Sequence, residues 1–174
     1  ITYSSLATHN HFALESGRFV FNNKAPIIKL KGNAPEDEYL SVLAILNSST
    51  ACFWMKQVFQ PRGATAANKN HPDPERFAHE IAGTGLQMVP IPELGAHKPR
   101  LVMLARRMNE LADRRASLRD EAKWIDQVVS RDDLRRALET RWRAHDEVRQ
   151  QMIFIQEEID WLVYHLFGLT GRPL

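Results

Sequence analysis

A chain of 174 residues with 44% hydrophobic side chains can bury one core of ordinary size or two small ones, and 23 basic against 21 acidic residues leave a net charge of only +2. That balance permits an anionic partner without demanding one, and the single cysteine, Cys52, excludes an internal disulfide. No apolar run reaches the ~20 residues of a membrane span, and residues 1–17 lack the basic-then-apolar order of a signal peptide, so a soluble, cytoplasmic protein is expected.

The chain changes grammar near residues 93–98. Most of the Pro, Gly and Asn lie before this point, and Arg-rich helical patterning follows it. Residues 1–95 therefore predict a small mixed α/β part, and residues 96–174 a long antiparallel, coiled-coil-like helical hairpin packing back on it. The class is α+β. In the first part, Arg18-Phe19-Val20-Phe21 and Ile27-Ile28-Lys29-Leu30 predict two short strands around the turn Asn22-Asn23-Lys24-Ala25-Pro26. Pro35-Glu36-Asp37-Glu38 then sets a helix N-terminus, and Tyr39, Leu40, Leu43 and Leu46 follow helical spacing. Asn47-Ser48-Ser49-Thr50 offers hydroxyl caps for a second helix, which Pro61 and Gly63 stop. An exposed loop is expected over residues 60–74.

Two helical patterns fill the rest. Leu101, Leu104, Met108, Leu111, Arg115, Leu118, Ala122 and Ile125 step by three and four. So do Leu134, Leu138, Trp142, His145, Val148, Met152, Ile155, Ile159, Leu162 and Leu166, near the 3.5 period of a helix seam. Ser130-Arg131-Asp132-Asp133 resembles a capping box that starts the second helix at Arg131, and Gly168 ends it after Phe167. Such a helix spans roughly 50 Å, which favours a partner alongside it.

Few residues look catalytic. Glu80-Ile81-Ala82-Gly83-Thr84-Gly85 has the form of an acid-plus-glycine nucleotide loop, but Pro90 and Pro92 break the helix such a loop must enter. The polar run 75–79 is also a poor central strand. A glycine turn leading into an extended edge over residues 86–92 is the simpler expectation. His9 with His11, and His71 with His79, lack companions at metal-ligand spacing, and Cys52 sits in the apolar run 51–55, where a buried thiol is expected. His145 falls on the seam, where a polar residue sets register. No catalytic residue, metal site or resident cofactor is expected.

Basic and amide side chains form the stronger pattern. Asn22, Asn23, Lys24, Lys29, Lys31, Lys56, Gln57, Arg62, Lys69 and Asn70 mix cations that hold phosphates with amides that read base edges, which makes double-stranded DNA the candidate partner. Arg62 is suited to a bidentate contact with guanine. The abundant Arg of the helical half alternate with acids, as on a solvated helix face laced by i, i+3 and i, i+4 pairs.

Three segments in order carry a family resemblance. They are Leu43-Ala44-Ile45-Leu46-Asn47-Ser48-Ser49 with Phe53-Trp54-Met55-Lys56, then Gly83-Thr84-Gly85-Leu86-Gln87 through Val89-Pro90-Ile91-Pro92, then residues 157–169 from Glu157-Glu158-Ile159-Asp160-Trp161 to Phe167-Gly168-Leu169. Together they resemble the C-terminal part of adenine-specific DNA methyltransferases of the type IIG restriction-modification and BREX-like (PglX-like) phage-defence families. The resemblance implies a non-catalytic target-recognition piece. The Asn-Pro-Pro motif and S-adenosylmethionine site of that family lie in an upstream catalytic domain of the parent chain, and Asn-Pro-Pro does not occur in this sequence. A start at Ile1 rather than Met fits that expectation. It further implies that Leu46, Phe53, Trp54 and Met55 anchor the core, and that Ile159, Leu162, Tyr164 and Phe167 pack the helix end against it, with Trp161 expected in the buried seam. A second possibility is an interaction module that self-associates or joins a multi-subunit complex through exposed heptad faces.

Overall fold

The computed structural model describes residues 1–15, 17, 21–61, 78–120, 124–125 and 128–171. Two short antiparallel ribbons open the fold. β1 (Thr2–Tyr3) pairs with β3 (Phe12–Ala13), and β2 (Leu6–Ala7) pairs with β4 (His79–Glu80). The turn after Phe21 forms as its residues dictate: Asn22 Oδ1 accepts from Lys24 N at 2.9 Å and Asn22 O accepts from Ala25 N at 3.1 Å. The run 27–30, expected to be a strand beside 18–21, pairs elsewhere. Residues 18–20 lie outside the described residues, and Ile27 makes an isolated bridge to Thr2. Ile28 N donates to Ile1 O at 2.7 Å, while Tyr3 N donates to Pro26 O and Ser5 N to Lys24 O. The N-terminal segment satisfies these backbone groups, so no full strand develops over 27–30.

α1 (Glu36–Leu46) begins behind Pro35 with three acids in its first turn, where the helix dipole favours them. α2 (Ser49–Val58) is capped by Ser48, whose hydroxyl accepts from Ala51 N at 3.2 Å. The glycines at 83 and 85 sit in a single helical turn, α3 (Gly83–Leu86), rather than in a turn feeding an extended edge. A Cβ at Gly85 would overlap the Phe59 ring, so close packing accounts for that glycine.

A 3-10 turn (Gly95–His97) leads into α4 (Lys98–Arg119), and α5 (Arg131–Leu166) runs back along it. Arg100 meets Glu158 at 2.7 Å, Arg107 meets Gln151 at 3.5 Å and Arg115 meets His145 at 3.0 Å, a descending order that makes the pair antiparallel. α4 ends at Arg119, short of the expected Ile125, which is exposed, and Ala122 lies outside the described residues. α5 has the expected bounds. Ser130 Oγ accepts from Asp133 N and donates to its carboxylate, and Gly168, at φ 69°, closes a Schellman end with Leu169 N donating to Tyr164 O and Gly168 N to His165 O.

The core has two lobes with α1 between them. Leu43 and Leu46 join Tyr3, Phe12, Met55, Phe59 and Ile81 on one side. Leu40, Ala44 and Ile45 face Leu101, Leu104, Ile159, Leu162 and Val163 on the other. Burial on two sides explains why α1 is apolar almost all round. Leu46, Met55, Ile159 and Leu162 are buried as expected, and Trp54 and Phe167 pack partly buried against the two lobes. Two of the motif's aromatics turn outward instead. Phe53 is 69% exposed and Trp161 49%, because the buried faces of α2 and α5 are set by Met55 and by Ile159 with Leu162 and Val163.

Candidate nucleic-acid interface

The polar break Asn47-Ser48-Ser49 is the joint of the molecule. Asn47 holds the Phe12 backbone from both ends, accepting from Phe12 N at 3.0 Å through Oδ1 and donating to Phe12 O at 2.9 Å through Nδ2. Asn10 donates to Leu46 O and Ser48 O. From α5, Gln156 donates to Asn47 O at 3.2 Å. Asp160 accepts from Ser49 N at 2.7 Å and from Ser49 Oγ at 2.5 Å, placing a carboxylate at the positive end of α2 from 111 residues away. The motif that looked like an aromatic anchor thus also works through its polar members.

This joint forms one end of an open groove. One wall is the α2 stripe of Ser49, Cys52, Phe53, Lys56 and Gln57, and the other is His9, Asn10 and His79, with Asn47 and Gln156 at the joint. His79 Nδ1 lies 3.0 Å from Phe59 O, and Pro61 bridges to His79, so the described chain on either side of residues 62–77 meets beside the groove. No Asp or Glu is among the described residues that line it. Lys56 is half-buried and makes no ion pair among the described residues, and Gln57 is exposed. Cys52 is half-buried on the same stripe rather than sealed in the core. Among the described residues no cluster of His, Cys, Asp and Glu could hold a metal ion, and His9 and His11 stand 6.3 Å apart between ring centres.

The remaining sequence candidates are divided. Asn23, Lys24, Lys29 and Lys31 are exposed on the loop after Phe21, with Asn22 spending its side-chain oxygen on the turn, and none of these lines the groove. Arg62, Lys69 and Asn70 lie outside the described residues. About half of the described helical cations are in ion pairs. Arg107 pairs with Glu110, Arg135 with Glu139, Arg136 with Asp133 and Arg149 with Asp146 along their own helices, while Lys98 and Arg106 reach the acids of the first turn of α1. Asn10 and Gln156 escaped the sequence reading, and His9 was weighed there only as a metal ligand, because distant segments bring all three to α2. Their only sequence signal is the polar spacing Gln156-x-x-x-Asp160 inside an otherwise apolar motif.

Over its whole length, and 180 aligned positions, the chain is 37% identical to the adenine-specific methyltransferase PglX of Streptomyces coelicolor. The match is to the C-terminal part of that protein. The chain fits a C-terminal fragment of PglX-like proteins. It spans 14% of the length of this curated relative. No family model matches the chain, and no solved structure matches it. Among the described residues no helix is long and apolar enough to cross a membrane.

Proposed function

We propose that this chain is the non-catalytic DNA sequence-recognition part of a cytoplasmic adenine-N6 DNA methyltransferase of a phage-defence or restriction-modification system. The observation that carries this reading is the whole-chain similarity to a part of PglX, a protein named as an adenine-specific methyltransferase. In this reading residues 1–95 meet double-stranded DNA, and the helical pair of residues 96–174 acts as a spacer. The catalytic domain of the parent chain binds S-adenosylmethionine and transfers the methyl group. Support comes from charge. Lys24, Lys29, Lys31 and Lys56 have no ion pair among the described residues, so cations of the first part are open to phosphates. Binding of the chain to a mixed-sequence duplex library at two salt concentrations tests the proposal. Enrichment of one short motif together with a salt slope is expected. Absence of binding at low salt would overturn it.

One observation favours a second reading, an interaction module. Leu134, Leu138 and Trp142 at the start of α5 are exposed, Trp142 to 75%. That reading predicts self-association or capture of a partner subunit without DNA affinity, and sedimentation at increasing protein concentration separates the two.

A further inference from the structure

The exposed Phe53 has a chemical setting that an ordinary surface aromatic lacks. It stands on α2 one turn before Lys56 and Gln57, so the three share a face. It projects at the edge of a groove whose other members are nearly all hydrogen-bonding side chains, and it is excluded from the core that its neighbours Trp54 and Met55 join. Its outward position is fixed from both ends of the helix. Ser48 and Asp160 hold the N-terminus of α2, and Met55 O accepts from Phe59 N at 2.9 Å at its C-terminus. A rigid aromatic face beside an ammonium with no ion pair among the described residues and the exposed Gln57 amide, with no carboxylate among the described lining residues, suits a ligand that is at once planar, polar at its edges and anionic. A nucleotide unit has those properties. An apolar protein segment would leave Lys56 and Gln57 unmatched, and a simple anion would make no use of the ring.

We infer that Phe53 is a stacking platform for a nucleobase displaced from its pair, with Lys56 holding the adjoining phosphate and Gln57 reaching the base edge. The inference rests on the proposed DNA recognition and deepens it, since it specifies an unpaired base rather than the intact duplex as the feature this groove grips. Stacked bases within a regular duplex offer no free face, so the preference must be for a site where one base is unpaired.

The test measures affinity of the intact chain for two labelled duplexes that differ only in one unpaired base, with parent, Phe53→Ala, Phe53→Trp and Lys56→Gln proteins. The parent is expected to favour the duplex with the unpaired base. Phe53→Ala should weaken binding to that duplex by roughly 5- to 150-fold, the range for loss of one base–aromatic stack, and to the fully paired duplex far less. Phe53→Trp should restore the preference. Lys56→Gln should lower the salt slope by about one on both duplexes, which Phe53→Ala should not do. Thermal midpoints check that the exposed substitution leaves the fold intact. Equal losses on the two duplexes, or none, would overturn the stacking role while leaving DNA recognition standing. Failure of the parent to bind either duplex would take both down.

Discussion

At its C-terminal end α5 buries Ile159, Leu162 and Val163 against α1 and α4, and Gln156 and Asp160 tie it to the start of α2. At its N-terminal end the same helix leaves Leu134, Leu138 and Trp142 in solvent, with the local Ser130 cap and Arg141 lying 4.6 Å over the ring of Trp124. Both ends repeat apolar residues at the same spacing. The difference lies in what faces them: with Arg100 opposite Glu158 and Arg115 opposite His145, α4 runs out near residue 140 of α5, so about 12–15 Å of the longer helix extends beyond its partner at this end. Periodicity makes the helix, and a neighbouring surface makes a core.

The largest effect should separate the two ends directly. Leu162→Ala removes a side chain from the packed lobe and is expected to cost about 2–5 kcal/mol, whereas Leu138→Ala should cost less than about 0.5 kcal/mol. Urea unfolding of the two variants decides it, and equal midpoints would erase the contrast. A smaller effect isolates the polar fastening. Asp160→Ala uncaps α2 and should lose about 0.5–2 kcal/mol, with Asp160→Asn recovering part of the loss because one acceptor oxygen remains. If Asp160→Ala matched the parent midpoint, the link between α5 and α2 would be energetically idle.

The smallest effect belongs to His145, midway between the two ends. Burial, then the charges of Arg115 and Arg119, hold its imidazolium below the ordinary histidine range, with Arg149 adding to them and Asp146 opposing. Its neutral Nε2 accepts from Arg115 Nε at 3.0 Å. Because the folded value lies below the unfolded value of about 6.5, this contribution is complete above that pH and is lost as the pH falls through the folded value. His145→Gln should therefore flatten part of the decline in urea midpoint between pH 7.5 and 5.5. An unaltered acid limb would remove His145 from the pairing of the helices.

What could be read in the sequence was local. Ser48, Ser130 and Gly168 fix helix ends through atoms a few residues away, and each of these ends lies where the residues indicated. The ribbons were hidden because β1 to β4 are two residues long and their pairing partners lie as far as 74 positions along the chain, as for Leu6 with Glu80. Phe53 and Trp161 were misread for a related reason. Aromatic character suggests burial, but helix rotation selects which of two adjacent large residues faces the neighbour, and nothing in Phe53-Trp54-Met55 fixes that choice locally. The groove was half legible. Lys56 and Gln57 announce themselves on α2, while His9, Asn10 and Gln156 reach it only through contacts across the fold.

The bond between Ser49 and Asp160 also orders events in time. The N-terminal turn of α2 stays without its carboxylate until the chain has been made as far as residue 160, and the α1 face toward the second lobe has only α4 to cover it before then. Contacts of such long separation form late, since loop closure must precede them. The groove beside α2 is therefore finished among the last features of folding, so a nascent chain acquires its grip on a ligand only once nearly all of these residues are in place.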